Sequence, residues 1–156
     1  MRHFHSKVEN PEGGQGDGID FSAMDAYMKS ILAVISRDGG LIARVFPPEA
    51  DVLIYFTERI ANDVISDYIT SLLSAAQPLQ HPLFLLATAA TFGQVYRLVD
   101  AVLAIEPKSA MVTKERAEDV IFKMFEPLMD DYLTEEGEWI RQVLEGMCAE
   151  WDAKVR

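Results

Sequence analysis

From Met24 to Trp151 apolar residues return every three or four positions, and only clusters of proline and glycine interrupt them. That spacing lines one face of a helix with 3.6 residues per turn. No run alternates apolar and polar residues between turn dipeptides, as a half-buried strand would. No repeat of 30–50 residues is visible either, so a solenoid is not indicated. The pattern predicts an all-α fold: an antiparallel bundle of about four to five long helices, one of them kinked at a proline. Short Pro/Gly turns between long helices set neighbours antiparallel.

The breaks divide the chain. Residues 1–19 hold Pro11, Gly13, Gly14, Gly16 and Gly18 in a polar context and read as a flexible arm. Residues 20–156 read as the bundle domain. The first helix is expected from Asp20 or Ser22, with Ser22 as N-cap and Asp25 in the first turn. Gly39-Gly40 is expected to end it. The apolar run Leu41–Phe46 reads as one or two helical turns, and Phe46, Pro47 and Pro48 shape the corner that follows.

A second helix is expected from about Pro48 to Ala76, with Val52, Phe56, Ile60, Val64, Tyr68 and Leu72 on its main stripe. Leu53, Ala61, Ile65, Ile69 and Leu73 widen that face. The third, Pro82 to Glu106, is apolar nearly all round, which suits a central helix. Gly93 within it suggests close approach of a neighbour. The fourth begins near Thr113, should kink or end at Pro127, and can resume with Thr134 as cap, reaching about Asp152. Core positions expected from these stripes are Phe56, Ile60, Tyr68, Phe92, Tyr96, Phe125 and Trp139. Arg59 and Asp63, four apart, suit a surface ion pair worth a few tenths of a kcal/mol.

Composition narrows the function. Of 156 residues 49% are hydrophobic and 25% charged, as in globular, water-soluble proteins. Fourteen basic against 25 acidic residues give a net charge of -11. An acidic chain repels phosphate backbones and anionic lipid, which disfavours nucleic-acid and polybasic membrane roles. Pro82–Ile105 is long enough to span a bilayer, but Gln94, Arg97 and Asp100 interrupt it. Each charge would cost about 2.5 kcal/mol or more in lipid, so the segment reads as a buried bundle helix. The polar N-terminus has no apolar stretch of a secretory signal. One cysteine, Cys148, excludes a disulfide scaffold and fits a cytoplasmic setting.

Catalytic material is thin. The histidines are His3 and His5 in the arm and His81 in a proline-bounded turn. No HExxH motif occurs, and no glutamate stands three residues before a histidine, as a di-iron bundle would need. Gly14-Gln-Gly16-Asp-Gly18 lacks the preceding strand of a phosphate loop and reads as a linker. Cys148 reads as a buried or half-buried structural thiol. An enzyme would need a polar constellation inside the bundle. Arg97 and Asp100 are the residues for it, and a buried or bridging ion pair is their simpler reading. No catalytic, cofactor or metal site is therefore assigned.

The acidic C-terminal stretch is the strongest remaining feature. From Glu126 to Asp152 there are nine acids and one base, Arg141, a net -8. This is a solvated face or a docking surface for a basic partner. Glu135, Glu136 and Glu138 are the candidate partner-binding residues. Trp139 and Trp151 are expected in the core; exposure of either beside the acids would favour an interface.

Three stretches carry a family likeness. They are Phe46-Pro-Pro-Glu-Ala-Asp-Val-Leu-Ile-Tyr-Phe-Thr-Glu-Arg-Ile-Ala-Asn-Asp-Val-Ile-Ser-Asp-Tyr-Ile-Thr70, Phe84-Leu-Leu-Ala-Thr-Ala-Ala-Thr-Phe92 and Arg116-Ala-Glu-Asp-Val-Ile-Phe-Lys-Met-Phe-Glu-Pro-Leu-Met-Asp-Asp-Tyr-Leu133. The chain resembles the exocyst complex component five and fungal recyclin family over about residues 20–152. The resemblance implies a rod of stacked helical bundles that tethers secretory or recycling vesicles. It implies an interaction module with no reaction of its own, whose partners are other tether subunits or a small GTPase. It also implies a cytoplasmic protein, peripheral at vesicle or plasma-membrane sites through those partners. Full members are several times longer and recyclins carry an F-box, so a partial chain or truncated relative is expected. The other reading kept open is a stand-alone acidic helical adaptor or chaperone that binds a basic or apolar partner, which would show an exposed apolar groove and form a dimer.

Overall fold

The computed structural model describes residues 21–76, 81–105 and 111–155. The expected arm at 1–19, with His3, His5 and the glycine run, lies outside the described residues, as do parts of the turns at 77–80 and 106–110. Among the described residues every regular element is helical. Helix α1 (Ser22–Val34) passes through a π turn (Ile35–Gly39) into α2 (Gly40–Val45). A 3-10 turn (Pro48–Ala50) leads into α3 (Val52–Ile60), a second π turn (Ala61–Ile65) and α4 (Ser66–Ala76). Then come α5 (His81–Ile105) and α6 (Lys114–Val155).

Side-chain contacts fix the directions. Tyr96 meets Glu118 while Phe92 meets Phe125, so α5 and α6 run antiparallel. Gly39 lies against Leu53 while Tyr27 stacks on Tyr68, so α1 opposes α3–α4. Met24 meets Thr91 and Gly39 meets Ile105, so α1 runs with α5. The result is an up-down-up-down bundle, the arrangement that short connections favour.

Several boundaries differ from the sequence reading, each for a physical reason. Gly39-Gly40 does not end the first helix. Gly39 has a helical φ of -62, and its missing Cβ makes room for α5: a Cβ there would sit 2.6 Å from Ile105 Cδ1. The close approach expected at Gly93 is found at Gly39, and Gly93 faces open space. Phe21, not Ser22, occupies the α1 N-cap, and no side chain caps that end. On α3–α4 the buried row is Leu53, Thr57, Ala61, Ile65, Ile69 and Leu73, and the expected main stripe lies beside it, with Val64 exposed. A row at spacing four drifts about 40° per step on an α-helix. The π turn, with more residues per turn, offsets part of that drift. The carbonyl of Val64 in this turn accepts a hydrogen bond from Tyr27 Oη at 3.0 Å.

At the corner, Phe46 and Pro47 are extended and Asp51 is left-handed with φ 55. The Asp51 carboxylate accepts a 2.7 Å bond from Arg116 Nη1, which also donates to the carbonyl of Met111 at 2.6 Å. This clasp ties the start of α3 to the start of α6. Thr113 Oγ1 accepts the Arg116 backbone N–H at 3.3 Å and so caps α6.

The core gathers Met28, Ile35, Leu53, Ile65, Ile69, Val95, Leu98, Val102, Ile121 and Phe125. Phe125 meets Phe92 edge-on at 5.2 Å. Of the seven residues expected inside, Phe125 is fully buried and Phe56, Ile60, Tyr68, Phe92 and Tyr96 are half-buried. Trp139 is exposed. The α5 segment Pro82–Ile105 is long and apolar enough to cross a membrane by length and composition. Here it packs against α1, α4 and α6.

Candidate interaction surface

Helix α6 runs through Pro127 without interruption. Proline lacks the N–H that the Lys123 carbonyl would accept, which strains a helix without always ending it. Thr134 opens no second helix; its hydroxyl donates to the Asp130 carbonyl at 2.8 Å. The α6 residues of the core are Ala117, Val120, Ile121, Met124 and Phe125, with Leu128 and Met129 packed against it. Beyond Met129 no α6 residue belongs to the core, and every residue from Trp139 to Val155 is exposed. At 1.5 Å per residue, Leu133 to Val155 makes about 35 Å of helix beyond the bundle.

This projecting half is strongly apolar on one side. Leu133, Ile140, Leu144, Met147, Trp151 and Val155 follow one another at spacings of seven, four, three, four and four, and all are exposed, Trp151 at 70%. They form one stripe on a helix. The stripe lies more than a quarter-turn, by roughly 100° per residue, from the face that Ile121 and Phe125 bury. Trp139 and Val143 sit at its margin, on the side that continues the core face. Trp139 is thus corrected from core to surface, and Trp151 with it, because the bundle ends before either residue is reached. Cys148 is likewise exposed, where a buried thiol was expected.

The acids surround the stripe. From Asp130 to Val155 there are eight acids against Arg141 and Lys154, a net -6. The three glutamates picked from sequence are not on one face. Glu136 falls between Leu133 and Ile140 on the stripe's edge, whereas Glu135 and Glu138 lie on the back. Glu138 is held in an ion pair with Arg141 one turn away. Glu150 lies on the same margin as Glu136, and Asp130, Glu145 and Asp152 flank the other side. The sequence reading did not single out Glu150 or the exposed aliphatic stripe. The spacing from Ile140 to Trp151 was visible, but nothing in it told a core face from a bare one.

Inside the bundle the polar groups are spent on structure. The buried polar side chains among the described residues are Thr57, Thr88 and Thr91. Each donates to the carbonyl four residues back, at 2.8, 2.9 and 2.6 Å. Arg97 does not pair with Asp100. Its Nη1 donates to Asp25 of α1 and to Gln94, both at 2.7 Å, while Asp100 is exposed. Lys29 and Arg97 together hold the Asp25 carboxyl below the usual carboxylate range. The hydrogen bond that Tyr96 Oη donates to Glu118 pushes that phenol up, because ionisation would give up the bond; burial and the charge of Glu118 add to the shift. Arg59 and Asp63 form the expected ion pair at 3.3 Å, well exposed.

These features define an antiparallel helical bundle in which α6 extends past its neighbours with an exposed apolar stripe among the described residues. Residues 18–156 match the family model described as exocyst complex component Sec10-like, alpha-helical bundle, and the chain belongs to that family. Its members are non-enzymatic subunits of a vesicle-tethering complex and work through protein–protein contacts. No curated protein and no solved structure matches the chain.

Proposed function

We propose that this chain is a non-enzymatic interaction module of a recyclin-type vesicle-tethering protein acting in exocytosis or endocytic recycling. Its partners are other tether subunits or a small GTPase. It works in the cytoplasm and reaches vesicle or plasma-membrane sites through those partners. The observation that carries the reading is the family match over residues 18–156 joined to a last helix bared beyond the bundle. A bundle that buries its own core and still presents a long two-toned helix is equipped to join other helices. Glu135, Glu136 and Glu138 contribute the acidic character of that helix.

The test is affinity purification of the tagged chain, with bound proteins identified by mass spectrometry. Other subunits of a tethering complex should co-purify, and reversal of Glu135, Glu136 and Glu138 to lysine should lower their yield several-fold. Recovery of no tether subunit would end the tethering reading. A stand-alone acidic adaptor is the second reading, favoured by the exposed stripe from Leu133 to Val155. It predicts a salt-resistant dimer by light scattering, where the module reading predicts a monomer.

A further inference from the structure

We infer that the projecting half of α6 docks a basic amphipathic helix, which seats its apolar residues on Ile140, Leu144, Met147 and Trp151 and its lysines or arginines against Glu136 and Glu150. The inference rests on the interaction-module reading and names the chemistry of one partner. Three observations lead to it.

First, the stripe is helical in its spacing and of a partner helix's length. Ile140, Leu144, Met147 and Trp151 alternate four, three and four, the seam of a helix pair. All four are exposed: Ile140 at 46%, Leu144 at 55%, Met147 at 62% and Trp151 at 70%. No residue of the described bundle covers them. Helices pair by laying such a face on another, with anchors at i, i+3, i+4 and i+7. Trp151 is of a residue type that dominates interface energetics when a partner covers it, and Met147 of a type enriched at interfaces.

Second, the charge is one-sided. Glu136 and Glu150 on one margin and Asp130, Glu145 and Asp152 on the other stand against Arg141 and Lys154 in a stretch of net -6. Arg141 is taken by Glu138. Margin positions of a helix pair choose the partner by charge, so these margins select lysine and arginine.

Third, the same charges disfavour a second copy. Two chains paired antiparallel about Leu144 set Glu136 of one near Glu150 of the other, once on each side of Leu144 along the same margin. Two stretches of net -6 would then share one interface, and like charges opposed in this way repel. Gly137 opposite Trp151 would suit that pairing sterically, since a Cβ at Gly137 meets nothing within 4 Å. The charge decides against it.

The test uses the full chain and two synthetic 25-residue peptides. Both carry leucine at heptad a and d positions; one has lysine and the other glutamate at e and g. Trp139 and Trp151 are the protein's two tryptophans and both lie in the projecting half, so their emission reports the site directly. The lysine peptide should shift the emission to the blue and bind at least tenfold more tightly than the glutamate peptide at low salt, with the difference shrinking as salt is added. Leu144→Asp should abolish binding, and the double variant Glu136→Lys, Glu150→Lys should weaken it about tenfold. Circular dichroism of each variant shows whether the bundle still folds; these positions are outside the core, so it should.

Equal binding of the two peptides, or binding untouched by Leu144→Asp, overturns the inference. So does a dimer by light scattering that dissociates on Leu144→Asp, which would give the stripe to a second copy. Tether subunits that co-purify equally with Leu144→Asp and with the unaltered chain would leave the module reading standing and remove this one.

Discussion

Helix α6 contains two regions that share a backbone and differ in everything around it. In the first, Val120, Ile121, Met124 and Phe125 face α5 and α3, and Phe92 closes on Phe125 at 5.2 Å. In the second, Ile140, Leu144, Met147 and Trp151 keep the same helical spacing and face nothing in the described bundle. The first is held by tertiary packing, which supplies most helical stability in proteins. The second is a continuation whose helix is carried by its neighbour, by the Glu138–Arg141 pair and by i to i+4 contacts within itself. Amphipathic spacing thus identifies a face that wants covering, and leaves open whether the chain itself covers it.

Truncating the two regions should separate them most widely. Phe125→Ala removes a ring that is 2% exposed and should lower the unfolding free energy by about 3–5 kcal/mol. Trp151→Ala removes a larger side chain that is 70% exposed and should change it by less than about 0.5 kcal/mol. Urea denaturation followed at 222 nm measures both. A loss above about 2 kcal/mol in Trp151→Ala would mean that the projecting half folds back on the bundle. The proline inside the core half of α6 gives the next largest effect. Pro127 is exposed, and Pro127→Ala restores a backbone donor, so the variant should gain about 1–2 kcal/mol after the unfolded chain's added freedom is offset. No gain would mean that the local geometry at Pro127 is required by the packing of Met124 and Leu128.

Sequence alone carried the fold a long way, because periodicity reports how helices bury faces. The all-α bundle, the corner at Phe46-Pro47-Pro48 and the core role of Phe125 could all be read there. What could not be read was set by neighbours. Gly39 signals a helix end in sequence and is a contact point in the bundle, because Ile105 arrives from another helix. Arg97 looked like a partner for Asp100 three residues on, and instead crosses to Asp25. Along the projecting helix the acidic count and the conditional reading of Trp139 and Trp151 were legible. The bareness of Leu144 and Met147 was not, since a stripe has the same spacing whether or not a helix lies on it.

Glycines sharpen the comparison at a smaller scale. Gly93 on α5 and Gly137 on α6 both face open space, so alanine fits at either. Glycine costs about 1 kcal/mol against alanine in a helix interior. Gly93→Ala should therefore raise bundle stability by about 0.5–1 kcal/mol in urea. Gly137→Ala lies past the last core residue of α6. It should leave the unfolding midpoint nearly unchanged and slow amide exchange around residues 134–141, where local opening is separate from global unfolding. If both variants shift the midpoint equally, the two regions unfold as one cooperative unit.

The smallest expected effect is electrostatic and belongs to the bundle region. Arg116 holds the Asp51 carboxyl below its ordinary value of 3.8, and Lys29 with Arg97 does the same for Asp25. A carboxyl lowered in the folded state binds a proton more readily once the chain unfolds. Its contribution is therefore complete above the ordinary value and is lost as pH falls through the lower folded value. Both pairs are partly exposed, with Arg116 at 38% and Asp51 at 24%, so salt weakens them. The urea midpoint at 222 nm should hold steady from pH 6 to about 5 and fall below about 4, and Asp51→Asn should flatten part of that fall. The tryptophan signal should not follow the step, because Trp139 and Trp151 stand in the projecting half, away from both clasps. A tryptophan change that tracks the Asp51 titration would couple the surface to the corner, and the bare helix would then be under the control of the bundle it leaves.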